Sequence, residues 1–207
     1  MSLGRVGSHY CMATVVADLS MSLDGFIADS SDAVPYIFDW YENGDVVFEW
    51  PGNDMVSRVT EASAAVLRDT VANAGALVAG RRVFDITDGW GGHHPAGCPV
   101  FVVTHNPPED WPHDRSLTTF VTDGVASAVE QAKAAAGDKS VGVFGPNIAQ
   151  QCLNLGLLDE VFVHLTPVLL GVGVPFFANL TSGPVRFDDP TVIEGKEVIH
   201  LRYKVRR

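Results

Sequence analysis

The sequence predicts an α/β fold: a three-layer αβα arrangement around a mixed, mostly parallel central sheet with an antiparallel C-terminal edge. Three observations predict it. Apolar, β-branched runs alternate with helix-patterned segments along most of the chain, as expected of strands joined by covering helices. The tail from Val185 to Val205 instead carries period-two patches such as Val198-Ile199-His200-Leu201-Arg202-Tyr203, which fit an antiparallel strand or hairpin. The 207 residues, 46% hydrophobic, suffice for one sizeable core but not two. Residues 13–207 are therefore expected to be a single domain. Residues 1–12 read as a disordered or expression-derived lead, with Met12 as the candidate natural start.

Taken in order, Thr14 to Met21 (TVVADLSM) is apolar and β-branched and reads as a buried strand, broken by the Asp24-Gly25 loop. The segment 29–53 mixes Pro, Gly, Asp and aromatics and reads as an irregular excursion with one short helix. A helix is expected from Asn53 or Asp54, either of which can cap free N–H groups, to about Asn73. Met55, Val59, Ala62, Val66 and Val71 would share one face. Ala76 to Ala79 is a short strand, followed by a Gly80-Arg81-Arg82 loop, and Pro99 to Thr104 and Thr118 to Val121 are strands. Helix 125–136 stops at Gly137. The strand Val141 to Phe144 runs straight into helix 146–155, which Gly156 ends, and Glu160 to Leu169 is again a strand.

Composition excludes several functions. A formal charge of −11, with only 14 Lys and Arg, argues against a broad nucleic-acid or anionic-membrane surface. Any anionic ligand must be held by a small local group of positive charges. Cys11, Cys98 and Cys152 have neither metal-ligand nor redox spacing, and an odd number makes a poor disulfide framework, so reduced thiols and a cytoplasmic location are expected. The apolar stretch from Val161 to Leu180 is interrupted by His164, Pro167, Gly171, Gly173 and Pro175, which excludes a membrane span, and no export signal is visible.

Ligands of such sheets bind beyond the carboxyl ends of the strands, and the unusual residues lie there. Gly80-Arg81-Arg82 combines close backbone approach with two planar guanidinium forks suited to phosphate; the alternative is a solvated turn paired with Asp85 and Asp88. Gly145-Pro146-Asn147 opens a helix whose free N–H groups form a natural phosphate cradle, although Pro in a first turn is also ordinary capping. Thr104-His105-Asn106 ends a strand with donors and a titratable ring, or is simply a polar loop. His93-His94 lacks the partners of a zinc set, so no metal is expected. The GxGxxG turn, the P-loop and the nucleophile elbow are all absent.

Together and in order, four passages resemble the dihydrofolate reductase-like superfamily, and look closest to the branch containing the reductase (RibD C-terminal) domain of riboflavin biosynthesis. They are Ser22-Leu23-Asp24-Gly25-Phe26-Ile27-Ala28; Gly80-Arg81-Arg82-Val83-Phe84; Val102-Val103-Thr104-His105; and the block from Gly145 through Gln150-Gln151 and Gly156-Leu157-Leu158-Asp159-Glu160 to Gly173. The resemblance covers roughly residues 13 to 205 and implies NADPH. Gly80, Arg81, Arg82 and Val83, with Thr104 and His105, would flank the adenosine 2′-phosphate and diphosphate. Gly145, Pro146, Asn147, Ile148, Ala149 and Gln150 would take the diphosphate. The loop holding Gly25, Phe26 and Ile27 would close over nicotinamide and substrate, excluding water. The family usually carries Gly-Gly at the diphosphate turn, whereas here Phe144 precedes Gly145.

Hydride addition to a C=N bond also needs a proton donor. Asp24 and Asp54 are the candidates, with Asp39 a rival, and the more ordinary role of Asp54 is a helix cap alone. The expected activity is reduction of a small pterin-like or pyrimidine-like heterocycle. Tyr36, Phe38, Trp40, Tyr41, Phe48 and Trp50 would either stack on that ring or pack beneath a loop. The competing reading is a non-catalytic nucleotide-binding or dimerisation module on the same fold. A homodimer is expected, paired through the tail strands and the apolar Val161–Leu170 region.

Overall fold

The computed structural model describes residues 13–207; the expected lead at 1–12, with Cys11 and Met12, lies outside the described residues. The elements are β1 (Val15–Ser22), β2 (Phe26–Ala28), β3 (Val46–Glu49), β4 (Val56–Val59), α1 (Glu61–Asn73), β5 (Ala74–Gly80), α2 (Arg81–Ile86), β6 (Val100–Val103), β7 (Thr118–Val121), α3 (Val125–Ala136), β8 (Ser140–Phe144), α4 (Pro146–Asn154), β9 (Glu160–Thr166), β10 (Val174–Pro175), β11 (Thr191–Gly195) and β12 (Val198–Lys204). Eight strands form one sheet in the order β11-β12-β9-β1-β8-β5-β6-β7. Pairing is parallel from β9 across to β7, and antiparallel where β12 joins β9 and β11 joins β12. The mixed, mostly parallel sheet with its antiparallel edge is the architecture expected. No helix among the described residues is long and apolar enough to cross a membrane.

The two faces of the sheet are filled differently, and this positions the site. On one face Val15, Ala17, Ala76, Val78, Val141, Val143, Val161 and Val163 pack against α3 and α4 in one continuous apolar cluster. Alternation along each strand sends the intervening residues to the other face. There two separate clusters form. Ala64 and Leu67 of α1 pack with Trp40, Phe48 and Val198, and Phe84 of α2 packs with Leu77, Ala79, Val100 and Val102. A gap remains between the clusters, above β1 and β8. Gly142, on this face of β8, adds no side chain to fill it.

Several expected elements differ. No helix begins at Asn53 or Asp54: residues 56–59 form β4, which pairs antiparallel with β3 inside the segment expected to be irregular. The alternation of Val56-Ser57-Arg58-Val59 buries Ser57 and Val59 and exposes the other two, a strand period that overrides the helical reading. The cap is Thr60, whose Oγ1 accepts a hydrogen bond from Ser63 N at 3.3 Å. Asp54 is exposed and caps nothing. Gly80-Arg81-Arg82 is not a loop, because Arg81 opens α2 directly after β5. The strand expected to reach Leu169 ends at Thr166, before Pro167. Finally, Val161–Leu170 supplies no free edge, since β9 is paired on both sides; the edge strand at this end is β11.

Candidate active site

The gap between the α1 and α2 clusters is a cavity of about 760 Å³, a size suited to a small-molecule ligand. Its mouth is built at the carboxyl ends of β5 and β8. Pairing of Ala79 with Phe144 sets Gly80 beside Gly145. A Cβ built on Gly145 would meet Gly80 N at 3.9 Å, and one built on Gly80 would meet Ile148 Cγ1 at 3.3 Å. Gly145 has φ +95°, a backbone conformation that a side chain strains, and it begins α4 without any side-chain cap. Pro146 has no N–H and Ala149 N is bonded to Gly145 O at 3.2 Å, which leaves Asn147 and Ile148 as the uncapped donors of the first turn.

Of the residues expected at a site, Ile27, Gly80, Arg82, Val83, Gly145, Pro146, Asn147 and Ile148 line this one cavity. The others do not. Arg81 Nε bonds Asp85 at 2.7 Å and its Nη1 donates to Asn106 O, the pairing with Asp85 that the solvated-turn alternative expects. Thr104 is buried, with Oγ1 accepting from Asn106 N at 3.2 Å, and His105 is exposed. Ala149 is core, and Gln150 Nε2 donates to Phe176 O at 3.0 Å. Gly25 lies in the adjoining turn and Phe26 opens β2, where Phe26 N donates to Ser22 Oγ at 2.9 Å.

The loop after β2 reaches over the cavity. Asp29 Oδ1 accepts from Ser31 and Ala33, ordering the turn, and Asp32 Oδ2 then meets Arg82 Nη2 at 2.7 Å. Asp24 is engaged elsewhere. It accepts from Ser22 Oγ at 2.6 Å, Gly171 N at 2.7 Å and Leu170 N at 3.2 Å, and these bonds, Ser22 first, hold its carboxyl below the usual range. Asp24, Asp39 and Asp54 do not line the cavity. Phe38, Tyr41 and Trp50 do, whereas Trp40 and Phe48 are core and Tyr36 is exposed, so the aromatic segment divides between cavity wall, core and surface. Phe144, in place of a second glycine, packs edge-on against buried His94 with ring centroids 5.0 Å apart.

Sequence reasoning missed the polar floor. Asp18 and Ser20 on β1 and His164 on β9 line the cavity, with Asp18 Oδ1 at 2.9 Å from His164 Nε2. The available signal was the alternation Asp18, Ser20, Ser22 within a strand otherwise apolar, a pattern the eye reads as a uniformly buried strand. On α1, Thr70 Oγ1 is buried at the cavity without a hydrogen-bond partner.

A family model for the RibD C-terminal domain matches residues 13–199. The chain belongs to the RibD C-terminal domain family. It is thus a reductase-type enzyme. No curated protein matches it by sequence. Among solved structures, this RibD C-terminal domain is similar to a Shewanella sp. PV-4 protein assigned to riboflavin biosynthesis, with TM-score 0.70 and 23% identity over 95% of this chain and 100% of that one. It is similar to the Thermotoga maritima diaminohydroxyphosphoribosylaminopyrimidine deaminase/5-amino-6-(5-phosphoribosylamino)uracil reductase, with TM-score 0.62 and 13% identity over 94% of this chain and only 57% of that one. It also matches Enterococcus faecalis dihydrofolate reductase, solved with NADP(H), at TM-score 0.56 and 14% identity over 94% and 97% of the two chains. Likenesses at this identity establish the dihydrofolate reductase-like fold.

Proposed function

We propose that this RibD C-terminal domain binds NADPH across the carboxyl ends of β5 and β8 and reduces a small, flat, polar heterocycle of pterin or pyrimidine type held in the cavity. The observation that carries the reading is the meeting of Gly80, Gly145 and the uncapped start of α4 at the mouth of one cavity. These residues fit a phosphorylated dinucleotide. Two glycines allow close backbone approach, Asn147 and Ile148 offer N–H donors at the positive end of a helix, and Arg82 supplies local positive charge on an acidic chain. The NADP(H) complex of the similar Enterococcus reductase supports the same reading. When bound, the cofactor supplies the hydride. The chain's own part is to orient it, to exclude water beneath the Asp29–Ala33 turn, and to stack Tyr41 and Trp50 against a planar ring.

A homodimer through the β11 edge and a reducing compartment belong to the same reading. Val192 and Ile193 are exposed on β11, and the Cys98 and Cys152 thiols are buried and free, with pKa values pushed up by burial to about 11 and about 12.

Titration of the purified protein with NADPH and NADH tests the cofactor. NADPH is expected to bind in preference, and the preference should shrink in Arg82→Ala and less in Arg81→Ala. Binding of neither nucleotide would overturn the NADPH reading. A screen for loss of NADPH absorbance with 7,8-dihydrofolate, other pterins and amino-substituted pyrimidines then tests the substrate class.

A further inference from the structure

The floor of the cavity carries polar groups that the proposed cofactor site does not use. Asp18 lies on β1 with its side chain 14% exposed, facing the cavity alongside Val16 and Ser20. Its Oδ1 meets His164 Nε2 at 2.9 Å, and its Oδ2 has no hydrogen-bond partner among the described residues. The contacts continue inward. His164 Nδ1 meets His200 Nδ1 at 2.8 Å, His200 Nε2 meets Ser63 Oγ at 3.0 Å, and Thr60 Oγ1 donates to Ser63 Oγ at 3.2 Å. Ser63, His164 and His200 are buried, and Trp40 covers both rings at 5.1 and 5.2 Å between centroids.

Elementary hydrogen-bond accounting gives this chain one direction. An ionised Asp18 only accepts, so His164 carries its hydrogen on Nε2 and, when neutral, accepts at Nδ1. His200 must then donate from Nδ1 and accept at Nε2 from Ser63, which accepts from Thr60. Burial keeps His200 neutral, with its pKa pushed down to about 3, so it has one hydrogen to place. Every hydrogen therefore points toward Asp18. A proton taken up at the unpartnered Oδ2 leaves this direction intact, because Oδ1 still accepts from His164 Nε2.

We propose that Asp18 is the acid that protonates the substrate, and that His164, His200 and Ser63 position it. The proposal rests on the reductase reading above. Hydride and one proton add across a single C=N or C=O bond. The hydride comes from reduced nicotinamide, which is oxidised. The proton leaves the Asp18 carboxyl and ends on the heteroatom. Asp18 regains its proton at Oδ2 from water once the product has left the cavity. The other titratable or charged groups around Asp18 are Glu160 on β9, Arg202 on β12 and Tyr41 on the Asp39–Tyr41 turn. Arg202 is engaged over the Phe162 ring at 4.3 Å and with Asp69 at 3.5 Å. Asp18 also adds to the upward shift of the Tyr41 phenol, after burial, so Tyr41 stays un-ionised.

Nitrogen-15 spectra of the histidine rings test the positioning without any ligand. At neutral pH the protein should show His164 protonated at Nε2 and His200 at Nδ1. Asp18→Ala, which removes the acceptor, should release His164 from its single tautomer, and Ser63→Ala, remote from the cavity, should do the same for His200. The opposite tautomers in the parent protein, or unchanged ones in Asp18→Ala, overturn the positioning even if NADPH binds. Failure of NADPH binding with the tautomers as expected overturns the reductase reading instead. With an acceptor from the NADPH screen, Asp18→Asn should lower kcat by about 10²-fold or more, leave the NADPH Kd within about threefold, and remove the fall in kcat that accompanies ionisation of Asp18 as pH rises. An unchanged kcat in Asp18→Asn overturns its role as the acid.

Discussion

Gly80 and Gly145 meet backbone to backbone: the amide nitrogen of Gly80 lies 3.9 Å from the point where a side chain on Gly145 would begin. The neighbouring strands β5 and β8 deliver both glycines to the mouth of the cavity, so the turn that approaches a ligand is built from two distant parts of the chain. A methyl group on Gly145 has room but not the backbone, because φ is +95°. Gly145→Ala should therefore destabilise the protein by about 1–3 kcal/mol through strain alone. Urea unfolding measures that cost, and nucleotide titration should show weaker NADPH binding in the same variant.

Arg82 is held by Asp32, with the guanidinium largely in solvent. An exposed pair of this kind contributes little to stability, because water and salt screen it. Asp32→Ala should change the melting temperature little. It should tighten NADPH binding severalfold by freeing the guanidinium, and the gain should fade as salt is raised. Unchanged or weaker binding in Asp32→Ala would show that the pair, rather than the free cation, serves the ligand.

Burial depresses the pKa values of both His94 and His200 to about 3, from an ordinary value of 6.5. The unfolded chain takes up these protons near pH 6.5, and the folded chain resists until about pH 3. Stability is thus expected to fall as pH drops through that window, by up to roughly 1.4 kcal/mol per pH unit for each histidine, and to be insensitive to them above it. Urea midpoints between pH 7 and pH 4 measure the slope. His94→Gln should flatten it whatever happens to the baseline stability.

The Thr70 hydroxyl is buried at the cavity without a partner. Thr70→Val keeps the shape and removes the unpaired group, so it should stabilise the free protein by roughly 1 kcal/mol. If the hydroxyl serves a bound heterocycle, the same variant should raise KM for any acceptor found with NADPH. A lower melting temperature would point to a partner the hydroxyl already satisfies.

On the outer strand β11, Val192 and Ile193 are 53% and 37% exposed. Light scattering should report a dimer, and Ile193→Lys should convert it to a monomer while leaving the circular dichroism spectrum unchanged. A monomeric parent protein would remove the β11 pairing.

Much of the architecture was legible because it is written in local patterns. Helices 125–136 and 146–154 carry their own stops, and the strands of the parallel sheet are short β-branched runs between glycine and proline. The hairpin β3–β4 was not legible, because Val56-Ser57-Arg58-Val59 is short and adjoins a helical pattern, and only pairing with β3 decides its conformation. Among the site residues, Gly145, Asn147 and Arg82 stood out as unusual types at strand ends, and the structure gathers them on one cavity.

By itself the sequence determined the fold class, the order of most elements and the glycines at the carboxyl ends of β5 and β8, since periodicity and turn chemistry act between near neighbours. Only the tertiary structure decided which carboxylate meets the cavity. Asp24 is spent on the amides of Leu170 and Gly171, while Asp18 is turned to the cavity floor beside His164. That choice depends on which face of β1 looks toward α1 and on the pairing of β1 with β9, relations between segments remote in sequence.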